Sequence, residues 1–141
     1  MKSFTLIELL IVMAVAAIIL GLGYFIGFDF YKNYALRTEN DVLTSILRKA
    51  RSQAMNNIGG VSHGIQIGDS SYTIFYGDSY VSRDAQFDEI VKKSAGVGLS
   101  GLNEAVFQSL TAVSSASGTI VLSSGANSVY ISVNYEGRID N

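Results

Sequence analysis

Met1-Lys2-Ser3-Phe4-Thr5-Leu6-Ile7-Glu8-Leu9-Leu10-Ile11-Val12 opens the chain, and the apolar run it begins extends to residue 28. No charged residue follows Glu8 until Asp29. At about 1.5 Å per residue, a helix over residues 9–28 covers roughly 30 Å, the thickness of one bilayer core. Leu, Ile, Val and Phe favour insertion, and a helix satisfies its own backbone groups there. The stretch therefore predicts a membrane-spanning helix. Lys2 and the terminal amine mark the short side as cytoplasmic, so the remainder faces outward. Glu8 is the exception within the run. A carboxylate at the bilayer centre costs about 2.5–3.5 kcal/mol, and less near an interface. Two readings stay open from position alone: pairing with a positive group on a neighbouring subunit, or hydration at headgroup depth. A cleavable secretory signal fits poorly. Its apolar region is shorter, and Ala14-Val15-Ala16 is followed by more apolar chain, Ile18-Ile19-Leu20.

The block Phe4-Thr5-Leu6-Ile7-Glu8-Leu9-Leu10-Ile11-Val12, after a short leader carrying Lys2, resembles the N-terminus of type IV pilins and type II secretion pseudopilins. The resemblance implies cleavage by a prepilin peptidase between Ser3 and Phe4, then methylation of the new amine on Phe4. It makes Glu8 the fifth mature residue and gives it a role in subunit assembly, by pairing with a neighbour's N-terminal amine. That family usually carries Gly before the cut; Ser3 stands there in this chain.

Composition narrows the remainder. The chain has 141 residues, and about 110 remain beyond the apolar stretch, enough for one small domain with a modest core. Net charge is −2, so no strong global attraction to nucleic acid or anionic lipid is expected. The absence of cysteine excludes disulfides, thiolate catalysis and cysteine-based zinc sites. With no proline, every break falls to Gly, Asn, Asp or Ser.

Gly23 and Gly27 have the spacing of a close-packing helix face, although ordinary membrane-helix glycine explains them as well. From Asp29 the helix turns amphipathic. Leu36, Leu43, Leu47, Ala50 and Ala54 fall on one face, widened by Val42 and Ile46; Arg37, Glu39, Asp41, Arg48, Lys49 and Arg51 occupy the rest. Asn56-Asn57-Ile58-Gly59-Gly60 stops it. After Gly60 the period shifts toward two. Strands are predicted over residues 61–67, 72–76, 105–110, 119–123 and 128–135, with turns at Gly68-Asp69-Ser70-Ser71, Gly77-Asp78-Ser79, 114–118 and Gly125-Ala126-Asn127. Residues 82–100 read as a loop or one helical turn.

The expected fold is α+β: a long N-terminal α-helix, half membrane-spanning and half amphipathic, packed on a small antiparallel β-sheet or β-sandwich domain. The divisions are a leader at 1–3, a transmembrane helix at 4–28, its amphipathic continuation at 29–58 and a β-rich domain at 61–141. Leu47-Arg48-Lys49-Ala50-Arg51-Ser52-Gln53-Ala54 and a terminal strand ending Glu136-Gly137-Arg138-Ile139 are similar to the GspH/FimT minor pseudopilins. Some FimT-type members bind DNA through Gly-Arg-x-Arg. Arg138 occupies the first arginine position, but Asp140 takes the place of the second, setting repulsion against phosphate.

Catalytic candidates are sparse. Gly77-Asp78-Ser79 has the letters of a lipase nucleophile turn, yet that chemistry needs an oriented histidine, and the single one, His63, lies upstream. His63 reads as a strand-surface or edge residue, and one histidine without cysteine makes no zinc site. Asp78, Asp84, Asp88 and Glu89 lack calcium-loop spacing. Tyr72, Phe75, Tyr76 and Tyr80 read as sheet core and rim. No enzyme, cofactor or metal is expected. The resemblance implies as partners other pilins or pseudopilins in a filament, the prepilin peptidase, an inner-membrane assembly platform and the lipid bilayer. Nucleic acid enters only through the alternative of a DNA-binding minor pilin in a competence pilus.

Overall fold

The computed structural model describes residues 5–141, with backbone alone for 23–29. Ser3 and Phe4 lie outside the described residues, as do the packing surroundings of Gly23 and Gly27. Helix α1 runs unbroken over Leu6–Met55. Thr5 caps it with an extended backbone, and its hydroxyl accepts from the Glu8 N–H at 3.4 Å. At the other end the Asn56 amide reaches back to the Ser52 carbonyl, and Asn57 turns left-handed at φ 51°. The Ala54 carbonyl, which the helix cannot satisfy, accepts from the N–H groups of Asn57 and Leu110.

Eight strands follow, all paired antiparallel: β1 (His63–Ile67), β2 (Ser71–Tyr76), β3 (Glu89–Lys92), β4 (Gly98–Gly101), β5 (Glu104–Phe107), β6 (Gly118–Ser124), β7 (Asn127–Val133) and β8 (Ile139–Asp140). They form two four-stranded sheets, ordered β3-β2-β1-β5 and β4-β6-β7-β8. The fold is α+β, with the second half of α1 packed against both sheets. Leu36, Leu43, Leu47, Ala50 and Ala54 are buried, as their spacing requires. They meet Ile65, Ile67, Tyr72 and Ile74 from the first sheet and Ile120, Leu122, Ile131 and Val133 from the second.

Several expectations are corrected. Glu39, placed by pattern on the solvated face, is buried. It accepts from the Tyr72 hydroxyl at 2.6 Å and from the Ser94 N–H at 3.0 Å. His63 is neither at a surface nor at an edge: β1 lies between β2 and β5, and the ring is fully buried. Residues 82–100 hold β3, β4 and a short 3-10 turn, Ala85–Phe87, rather than one loop. Strand β5 stops at Phe107, because Leu110 turns to φ 67° to reach the helix end. Strand β7 stops at Val133, leaving Tyr135 exposed, and Gly137-Arg138 lies in the turn to β8 rather than within a strand. The outer face of the first sheet is also covered. The tip of the Phe75 ring packs over Gly64, where an added Cβ would come within 2.3 Å of it, and the ring meets Tyr80 edge-on. Arg83 stacks on Tyr80 at 3.7 Å and pairs with Asp88 at 2.9 Å, which folds residues 77–88 back onto that face.

Candidate functional site

Two places stand out among the described residues. The first is the start of α1. Every described side chain from Thr5 to Leu22 is exposed, including Leu6, Ile7, Leu9, Leu10, Ile11, Val12, Ile18, Ile19 and Leu20. Such a continuous apolar rod needs lipid or other protein surface to cover it. Among the described residues, no helix is long and apolar enough to cross a membrane. The apolar side chains placed, from Leu6 to Leu22, rise about 26 Å, just short of a hydrocarbon core. Glu8 projects from this rod and makes no ion pair with any described residue. The Thr5–Glu8 spacing is also that of a capping box, but only the hydroxyl half of it forms.

Residues 1–24 match the prokaryotic N-terminal methylation motif. This motif marks a type IV pilin-like N-terminus, and it covers Ser3, Phe4 and Glu8 together with the exposed rod. No curated protein and no solved structure matches the chain.

The second place is a cleft of about 700 Å³ where the last turns of α1 meet the β7–β8 turn. Arg48 and Arg51 enter it from the helix, and Glu136, Arg138 and Ile139 from the turn. Gly137 makes the junction possible. At φ 74° it is left-handed, and a Cβ there would collide with the Ala112 carbonyl at 2.0 Å and crowd Arg51 Nε at 3.4 Å. Arg138 Nε donates to Asp140 at 2.9 Å, so this arginine already has a carboxylate partner. Arg51 Nε is buried with no acceptor among the described residues.

The remaining candidates are occupied by structural contacts. Ser79 shares a hydrogen bond with Ser82, and Asp78 accepts from Ser62 at 2.6 Å, so Gly77-Asp78-Ser79 is a turn without a base. His63 Nδ1 lies 3.1 Å from the Val61 carbonyl, and the ring packs on Tyr76. Burial lowers its pKa below 6.5, against a smaller opposing effect of the Val61 carbonyl. Asp84 caps the 3-10 turn through the Gln86 N–H, Asp88 holds Arg83, and Glu89 accepts from Lys49 at 2.6 Å. Among the described residues no acidic or histidine group is arranged to hold a metal.

Sequence alone did not reveal the Arg48–Arg51–Arg138 cleft. Arg48 and Arg51 stand three apart on a helix flank, which is visible, but Arg138 joins them only through the β7–β8 turn. The Glu39–Tyr72–Ser94 cluster was equally hidden. Its one signal was Glu39 at three positions from Leu36 and four from Leu43, inside the apolar stripe.

Proposed function

We propose that the chain is a type IV pilin-like subunit, of the minor pseudopilin kind. It assembles through its N-terminal helix into a pilus or pseudopilus that serves type II protein secretion or pilus biogenesis. Before assembly the helix holds the protein in the inner membrane as a single span over residues 4–28, with the β-domain on the far side. A prepilin peptidase removes residues 1–3, and the amine of Phe4 is methylated. In the filament the rods pack side by side, which exchanges lipid contact for contact with other helices. Glu8 then meets the N-terminal amine of a neighbour, an opposite charge in a low-dielectric surrounding where pairing is strong. The carrying observation is the exposed Glu8 within the bare apolar rod.

Mass analysis of protein extracted from membranes of the native host tests this reading. The expected mature chain begins with methylated Phe4. A chain that still begins at Met1 while its machinery is active contradicts it.

A DNA-binding minor pilin is the second reading. It draws on the three arginines of the cleft and is weakened by the Arg138–Asp140 pair.

A further inference from the structure

The cleft between the end of α1 and the β7–β8 turn is built around donors that the fold leaves unmatched. Arg48 and Arg51 form none of the ion pairs among the described residues, whereas Lys49, between them in sequence, is held by Glu89. Arg51 Nε is buried and without an acceptor among the described residues, a state that costs free energy unless something accepts from it. The helix-end carbonyls nearby are already engaged: Ser52 by Asn56, and Ala54 by Asn57 and Leu110. The unpaired guanidinium groups of Arg48 and Arg51 therefore line a space that Arg138, held by Asp140, and one carboxylate, Glu136, also line.

We propose that this cleft receives a carboxylate side chain presented by an adjoining protein chain. A guanidinium offers a planar fork of donors that matches a carboxylate through two parallel hydrogen bonds. Met55 and Ile139 line the same cleft and offer apolar surface to the methylene stem of a glutamate or aspartate. A nucleic-acid backbone fits less well. It needs a longer track of positive charge than the two unpaired arginines supply. The chain as a whole is acidic, with net charge −2, so the cleft is a local positive site on a surface that otherwise carries the groups it would bind. The inference rests on the filament reading for the adjoining chain, and on the cleft alone for the chemistry.

The full chain in zwitterionic detergent micelles, labelled with nitrogen-15, provides the test through its arginine Nε–H resonances. A capped Ala-Glu-Ala peptide is the probe, with capped Ala-Gln-Ala as its control. The expected result is a saturable shift of the Arg51 resonance with the Glu peptide and none with the Gln peptide. Arg48→Gln, at an exposed position, should weaken binding about tenfold, the worth of one charge-assisted hydrogen bond. Arg51→Gln should abolish the accompanying shift of the Arg48 resonance, and Lys49→Gln should leave the Arg51 shift unchanged. No shift with the Glu peptide, an equal shift with the Gln peptide, or binding unaffected by Arg48→Gln overturns the proposal. A short DNA duplex that shifts the same resonances at concentrations roughly a thousandfold lower also overturns it, in favour of a phosphate backbone. Glu8→Ala separates the two proposals: it should abolish assembly and leave the peptide shift intact.

Discussion

Helix α1 carries two glutamates in otherwise apolar surroundings, and they are treated in opposite ways. Glu39 lies where the β-domain covers the helix, and the fold gives it a hydroxyl at 2.6 Å and a backbone N–H at 3.0 Å. Glu8 lies where nothing covers the helix, and no described residue pairs with it. A carboxyl group taken from water needs partners close at hand. Within its own domain the chain supplies them. At the front of the helix no described residue supplies one, and in the filament proposed above the partner is a neighbouring subunit. The fold covers the second half of α1 and leaves the first half bare.

Substitutions at the buried acid sharpen this contrast. Glu39→Ala strands the Tyr72 hydroxyl in the core and leaves the half-buried Ser94 N–H without its acceptor, and should cost about 2–3 kcal/mol and roughly 10 °C in Tm. Tyr72→Phe removes one partner only and should cost about 1–2 kcal/mol. Because the two groups touch, the double variant should cost less than the sum, which thermal melting of all three variants measures. Full additivity would mean that the contact contributes nothing. Burial and the Glu39 contact together raise the Tyr72 pKa well above 10.0, with burial the larger cause. The stability from this phenol is complete below that value and declines as pH rises past it, when the unfolded chain ionises first.

A smaller effect is expected from His63. Its folded pKa is lowered by burial, so below pH 6.5 the unfolded chain takes up a proton that the folded chain refuses. Stability should therefore fall as pH drops below 6.5, down to the folded pKa, and then level off with respect to this group. Comparing the pH dependence of Tm in the parent and in His63→Gln checks this, since the variant should lose that component. An unchanged slope between pH 6.5 and 5 would assign it to other groups.

The long elements were legible because their periods are unmistakable. Leu36, Leu43, Leu47, Ala50 and Ala54 repeat at helical spacing, and Val129, Ile131 and Val133 alternate as a half-buried strand does. What stayed hidden depends on contacts across the chain. Glu39 looks like a surface charge until Tyr72, far along the sequence, is seen to reach it. His63 looks peripheral until β5 pairs on the other side of β1. Strands β3 and β4 were missed because residues 82–100 are rich in charge and lack a sustained period-two pattern, and their pairing partners rather than their own propensities hold them in place. At the N-terminus the balance is reversed. The peptide around Ser3, Phe4 and Glu8 is legible in sequence because it is a short contiguous motif, whereas the isolated chain shows only that Glu8 is left uncovered.

The most direct measurement is filament incorporation of Glu8→Ala and Glu8→Lys beside Glu39→Ala, in cells that lack the native copy. Both Glu8 variants should reach the membrane, melt like the parent and fail to enter filaments, while Glu39→Ala should lose stability first and assembly only as it unfolds. Normal incorporation of both Glu8 variants would contradict the account.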